Sequence, residues 1–152
     1  MKFALFYHSL VSDWNHGNAH FLRGVVKELR RRDHEVVVFE PRDGWSRENL
    51  VKGLDPSELD ELEDELGLRG LYHLYDPSDF DPRPWVEEAD VVIVHEWNEP
   101  ELVARIGACR SAKQDACILF HDTHHRAVSA PEEMERYDLS QYDGALVFGE
   151  SL

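Results

Sequence analysis

Apolar residues in this chain come in short unbroken runs, each followed by a polar corner. Phe3–Tyr7 (FALFY), Glu35–Glu40 (EVVVFE), Val91–His95 (VVIVH), Ala116–His121 (ACILFH) and Gly144–Phe148 (GALVF) are such runs. Runs of this length without alternation predict strands covered on both faces. Between the first two, Phe21, Leu22, Val25, Val26 and Leu29 fall on one face at 3.6-residue spacing, so a helix is expected there. Arg30-Arg31-Arg32 closes it, with cations at the negative end of the helix dipole. Strand, helix and strand in this order imply a right-handed crossover between parallel strands.

Residues 45–90 are the least regular and are expected to form an acidic helical crossover. Asp55-Pro56-Ser57-Glu58 carries a cap, a first-turn proline and a glutamate three residues after the cap. Leu59, Leu62 and Leu66 form the stripe that follows, and Gly67 ends it. Leu71–Tyr75 is read as a short edge strand, Asp76–Pro84 as a proline-rich loop and Trp85–Ala89 as a helical turn. Pro100 opens a helix over Glu101–Ala112, and Ala130-Pro131-Glu132-Glu133 starts another short one. Strands alternating with helices predict an α/β fold: a Rossmann-like three-layer α/β/α sandwich with a mostly parallel sheet of five or six strands. The chain, residues 1–152, is read as one such domain.

Composition narrows the function classes. Net charge is −15, from 16 Lys+Arg against 31 Asp+Glu. Such an acidic surface argues against nucleic acid or anionic membrane as a non-specific partner. No apolar run approaches the roughly 20 residues of a membrane span, so no transmembrane segment is expected. The N-terminus lacks a secretory signal, which makes the expected location cytoplasmic. Cys109 and Cys117 have no metal-knuckle or disulfide spacing and are read as reduced thiols.

In an open parallel sheet, ligands bind outside the carboxyl ends of the strands. The residues predicted there are His8 and Ser9, His95, Glu96, Trp97 and Asn98, then His121 to Arg126, and finally Glu150 and Ser151. The first loop adds Asp13, His16, Gly17 and Asn18. Histidines 8, 16, 20, 95, 121, 124 and 125, out of nine in the chain, fall at or near this edge. His121 beside Asp122 is the favoured catalytic pair, because a carboxylate can orient an imidazole and favour its charged form. His8 and His95 end buried strands and fit a structural role as well as a functional one. Gly17-Asn18 opens a helix whose free N–H groups suit a phosphate. The glycine fingerprint of a dinucleotide fold is missing, although Glu40 stands where a ribose-binding acid would. No metal is expected, since no H-E-x-x-H pattern supports one.

Four stretches resemble the N-terminal, acceptor-side domain of GT-B glycosyltransferases of the family-4-like kind. They are the opening strand, glycine loop and helix through HEVVVFEP, then ADVVIVHEWN, ILFHDTH and YDGALVFGESL. Asp33 stands where the family usually has glycine. The resemblance implies two Rossmann-like domains facing each other, with a C-terminal domain after this one that binds a nucleotide-sugar. It implies a nucleotide-sugar donor substrate, an acceptor of unspecified kind and no separate cofactor. Gly17 would approach the donor diphosphate, and His121 would lie near the transferred sugar or the acceptor. His16, Asn18, His95, Glu96, Asn98, Arg126 and Glu150 would complete donor-phosphate or acceptor binding. This domain alone is then expected to be inactive. Two other readings compete: a stand-alone Rossmann-like binding or interaction module, and a small metal-dependent hydrolase built on the histidine cluster.

Overall fold

The structure is a computed structural model and describes residues 1–12, 17–112 and 116–147. In chain order its first elements are β1 (Lys2–Phe6), α1 (Asn18–Arg31), β2 (Glu35–Pro41), α2 (Trp45–Lys52), α3 (Pro56–Leu66) and β3 (Tyr72–Tyr75). There follow α4 (Arg83–Glu88), β4 (Val91–His95), α5 (Pro100–Ala108), β5 (Cys117–Asp122), α6 (Arg126–Ser129), α7 (Pro131–Met134) and β6 (Gly144–Val147). The fold class is α/β and Rossmann-like, as expected from the alternation of apolar runs and amphipathic stretches. Two compact units make up the chain: Met1–Phe6 with Asp81–Leu152, and Tyr7–Phe80.

In the first unit β1 pairs with β4, β4 with β5 and β5 with β6, all parallel. The register sets Phe3 opposite Val91 and His95 opposite His121. Parallel neighbours need a crossover of a dozen or more residues. Pro100 at the first helical position helps start α5 between β4 and β5, and Leu102, Val103 and Ile106 are its buried face. Leu5, Phe6, Val92, Val94, Ile118 and Phe120 are buried along the strands. The helix expected through Ala112 instead ends at Ala108 and tightens into a 3-10 turn, Cys109–Ala112. Strand β6 differs from the other apolar runs, for all four of its residues are exposed, Leu146 and Val147 included. Phe148, expected to close this strand, lies outside the described residues.

In the second unit β2 runs parallel to β3, with Val38 opposite Tyr72. Helix α1 buries Ala19, Leu22 and Val26, whereas Phe21, expected inward, is exposed. Asp33 takes a positive φ of 59°, the left-handed conformation that aspartate tolerates better than most residues. Its N–H donates to the Arg30 carbonyl, and that of His34 to Leu29, which closes the end of α1. Within this unit α3 and β3 stand where the capping motif and the edge-strand reading put them, and α2 is an element that was not expected. The capping box at Asp55 is complete: its carboxylate accepts from the N–H groups of Ser57 and Glu58, and Glu58 accepts from the Asp55 N–H. Gly67 ends α3 at φ 66°, where an L side chain is strained although nothing crowds the site. Gly67→Ala should therefore cost about 1 kcal/mol in urea unfolding, through the backbone alone. Among the described residues no helix is long and apolar enough to cross a membrane.

Candidate functional site

The end of β4 and the end of β5 meet because the two strands are paired in parallel, His95 beside His121. The corner after each strand then brings its polar residues together around one carboxylate, that of Glu96. This side chain is fully buried. Its Oε1 accepts from the Thr123 N–H, the Thr123 hydroxyl and His124 Nδ1, each at 2.7 Å. Its Oε2 accepts from Arg126 Nε at 3.1 Å and also from Arg126 Nη2. The Tyr137 hydroxyl donates to the Glu96 carbonyl. Burial alone would push this carboxyl up, yet the hydrogen bonds from Thr123, His124 and Arg126 outweigh it and hold it at about 2. Glu96 is therefore a fixed negative charge at neutral pH.

That charge settles the histidine tautomers around it. An ionised carboxylate only accepts, so His124 Nδ1 carries the hydrogen it donates. The Thr123 hydroxyl gives its proton to Glu96 and can only accept from His95 Nε2, 3.2 Å away. His95 Nδ1 in turn accepts from the Trp97 N–H at 3.2 Å. His95 is thus a buried neutral imidazole in a structural role, one of the two roles its sequence position allowed. Asn98 is also committed: its amide donates to the carbonyls of Phe6 and His95, both at 2.8 Å, and so ties the ends of β1 and β4 together.

His121 is buried, its ring edge-on to that of His95 at 5.4 Å. Burial lowers its proton affinity, and the nearby Glu96 charge opposes this only in part. Asp122 is the last residue of β5 and is buried as well; its Oδ1 accepts from the His124 N–H at 3.0 Å. Burial pushes its carboxyl up, and the Glu96 charge adds to the effect. Trp97 keeps 41% of its surface exposed, with its ring 5.5 Å from that of His124 and the Arg126 guanidinium carbon 5.8 Å from its centre. The structure thus gathers His95, Glu96, Asn98, His121, Asp122 and Arg126 from the expected residues. Trp97, Thr123 and His124, expected at the same edge, join them, and Tyr137 is added. Thr123 and His124 sit in the same polar corner and were visible there; Tyr137 lies 41 residues from its partner and carries no local signal.

Acid titration of the first unit follows from these shifts. Glu96 has a folded value below its ordinary one, so its stabilisation is complete above roughly pH 4.3 and is lost as pH falls towards about 2. His121 resists protonation in the fold, so the unfolded chain takes up the proton first and stability declines as pH drops below roughly 6.5. Asp122 works the other way: its raised value means that ionisation at higher pH costs stability. Melting temperature against pH should show a decline that begins near pH 6.5 in the wild type. In His121→Gln this first component should be smaller.

The other expected residues belong to the second unit or lie outside the described residues. His8 and Ser9 are buried there. Gly17 precedes α1 with φ −89°, and among the described residues nothing lies within 4 Å of an added Cβ. No acidic residue occupies the first turn of α1, and no side chain caps it at Gly17. Glu40, the candidate ribose acid, is fully buried: Oε2 accepts from the Leu10 N–H at 2.8 Å and Oε1 faces Arg47 at 3.5 Å. Burial pushes its carboxyl up against the pull of those donors. Its acceptor atoms hold the loop after β1, which explains a buried acid here without a ribose. Asp13, His16, Glu150 and Ser151 lie outside the described residues. Among the described residues no group of three or more His, Cys, Asp or Glu is placed to hold a metal ion. Cys109 and Cys117 are free thiols.

No family model and no curated protein matches the sequence. Among solved structures, the chain is similar to the TrkA-N domain of the inner membrane protein ybaL from Escherichia coli. The TM-score is 0.50 at 17% identity, over 96% of this chain and 86% of that one. At this identity the likeness concerns the fold, and it agrees with the Rossmann-like class reached from the strands and helices.

Proposed function

We propose that this chain is a Rossmann-like binding domain whose ligand sits at the carboxyl ends of β4 and β5. The observation that carries this reading is the buried Glu96 carboxylate. Five donor groups converge on it and hold Thr123, His124 and Arg126 in one arrangement before any ligand arrives. Preorganised polar corners at this edge are where open α/β sheets bind ligands. Amide chemical shifts of the purified chain, followed during titration with small polar ligands, test it. Shifts should cluster at residues 95–98 and 121–126; shifts confined to other regions would refute the assignment.

The finer reading is the acceptor-side domain of a nucleotide-sugar-dependent glycosyltransferase. The four sequence stretches support it, and so does Gly17, a glycine at a helix start free of acidic side chains. Such a position suits the close approach of a diphosphate to backbone N–H groups. Calorimetry on the natural polypeptide that carries this chain should detect a nucleotide-sugar. Gly17→Ala should weaken that binding and leave the melting temperature unchanged. A polypeptide that binds no nucleotide-sugar rules out the glycosyltransferase reading and leaves the binding domain in place.

A further inference from the structure

We propose that the surface formed by α1 and α3 docks on the same surface of a second copy of this chain, the basic α1 of each lying on the acidic α3 of the other. The inference is independent of the site at β4 and β5 and concerns the second unit alone. Residues 23–32 hold Arg23, Lys27, Arg30, Arg31 and Arg32 against the single acid Glu28, in a chain whose net charge is −15. Arg31 and Arg32 are committed to Glu28, at 2.8 and 2.7 Å. Among the described residues the side chains of Lys27 and Arg30 pair with no carboxylate. Helix α3, PSELDELEDEL, is the reverse, with acids and no cation. Arg69 takes Asp64 and the Tyr72 hydroxyl donates to Glu63, whereas Glu61 and Glu65 make no ion pair among the described residues.

Packing supplies the second observation. Most helices in proteins are stabilised by burying an amphipathic face. Helix α3 has such a face in Leu59, Leu62 and Leu66, yet none of its 11 residues is buried. On α1, Phe21, Val25 and Leu29 follow one another at four-residue spacing and line a groove of about 600 Å³. A second groove, of about 860 Å³, runs between the two helices, with Lys27 and Arg30 on one wall and Glu65 and Leu66 on the other. A surface with a positive half beside a negative half is self-complementary under a twofold axis. Rotation sets each half on its opposite, so the contact closes at two copies. The leucines of α3 then meet the apolar row of the partner's α1. The net charge of −15 opposes the meeting of two copies, but at physiological salt it is screened beyond roughly 8 Å, while charges inside the contact stand closer than that.

Sedimentation velocity on the chain tests this, over a concentration series that brackets the micromolar affinities of small, transient interfaces. The wild type should pass from monomer to dimer. The double variants Lys27→Glu with Arg30→Glu, and Glu61→Lys with Glu65→Lys, checked for folding by circular dichroism, should each self-associate about tenfold more weakly or less, since symmetry counts every change twice. Mixed in equal amounts, the two variants should bind each other: the reversed α1 of one meets the reversed α3 of the other, and the unaltered helices meet as in the wild type. Two folded variants that are monomeric alone and dimeric together establish the pairing. A wild type that stays monomeric overturns it and leaves the basic face to an acidic helix of another protein. Dimers that persist undiminished in both variants overturn the assignment of this surface. Variants that remain monomeric when mixed overturn the reciprocal contact of α1 with α3.

Discussion

Glu96→Ala is expected to cost about 3 kcal/mol, because it removes the shared acceptor of a buried ionic cluster. The groups that lose this acceptor are the Thr123 N–H and hydroxyl, His124 Nδ1 and the Arg126 guanidinium, which keeps Glu133 at 3.7 Å. Arg126 and His124 are partly open to water, which places the effect at the lower end of the range for a broken buried pair. In a chain of this size the melting temperature should fall by roughly 10 °C. Glu96→Gln keeps the volume and some of the acceptors, so its cost should be visibly smaller. Urea unfolding of the two variants side by side separates charge from packing. Equal losses would mean that the side chain's volume matters and its charge does not.

Phe120→Ala should cost more, about 3–5 kcal/mol. Phe120 is buried in β5, and its ring packs against Tyr137 at 5.1 Å and Tyr142 at 6.3 Å between ring centres. Removing it opens a cavity in the strand that carries His121 and Asp122, beside the tyrosine whose hydroxyl secures the Glu96 carbonyl. Phe21→Ala is the control. Its ring is exposed on α1, and its loss should stay within about 0.5 kcal/mol. Denaturant midpoints for both variants decide the matter, and similar losses for the two would contradict the burial pattern.

Much of the fold was legible because strand and helix periodicities are local. Val91–His95 is the strand that its five residues suggest, and Asp55 caps α3 through the motif written around it. The misreadings have local causes too. Residues 45–52 carry no clear apolar stripe, and α2 is short enough for tertiary contacts to decide it. Phe21 matches the helical spacing of the apolar face, yet the burial of α1 centres on Ala19, Leu22 and Val26, which leaves Phe21 at its margin.

The site divides in the same way. That polar residues cluster after VVIVH and ACILFH is a property of the sequence, and it sufficed to place a candidate site there. What each of those residues does depended on the pairing of β4 with β5, since contacts between residues 27–30 positions apart have no local signature. Only that pairing set the Glu96 carboxylate in the interior with Thr123, His124 and Arg126 around it. The same register turned His95 and His121 inward and left His124 at the surface. The order of apolar runs was enough for the α/β class; the buried carboxylate cluster came from strands meeting in space.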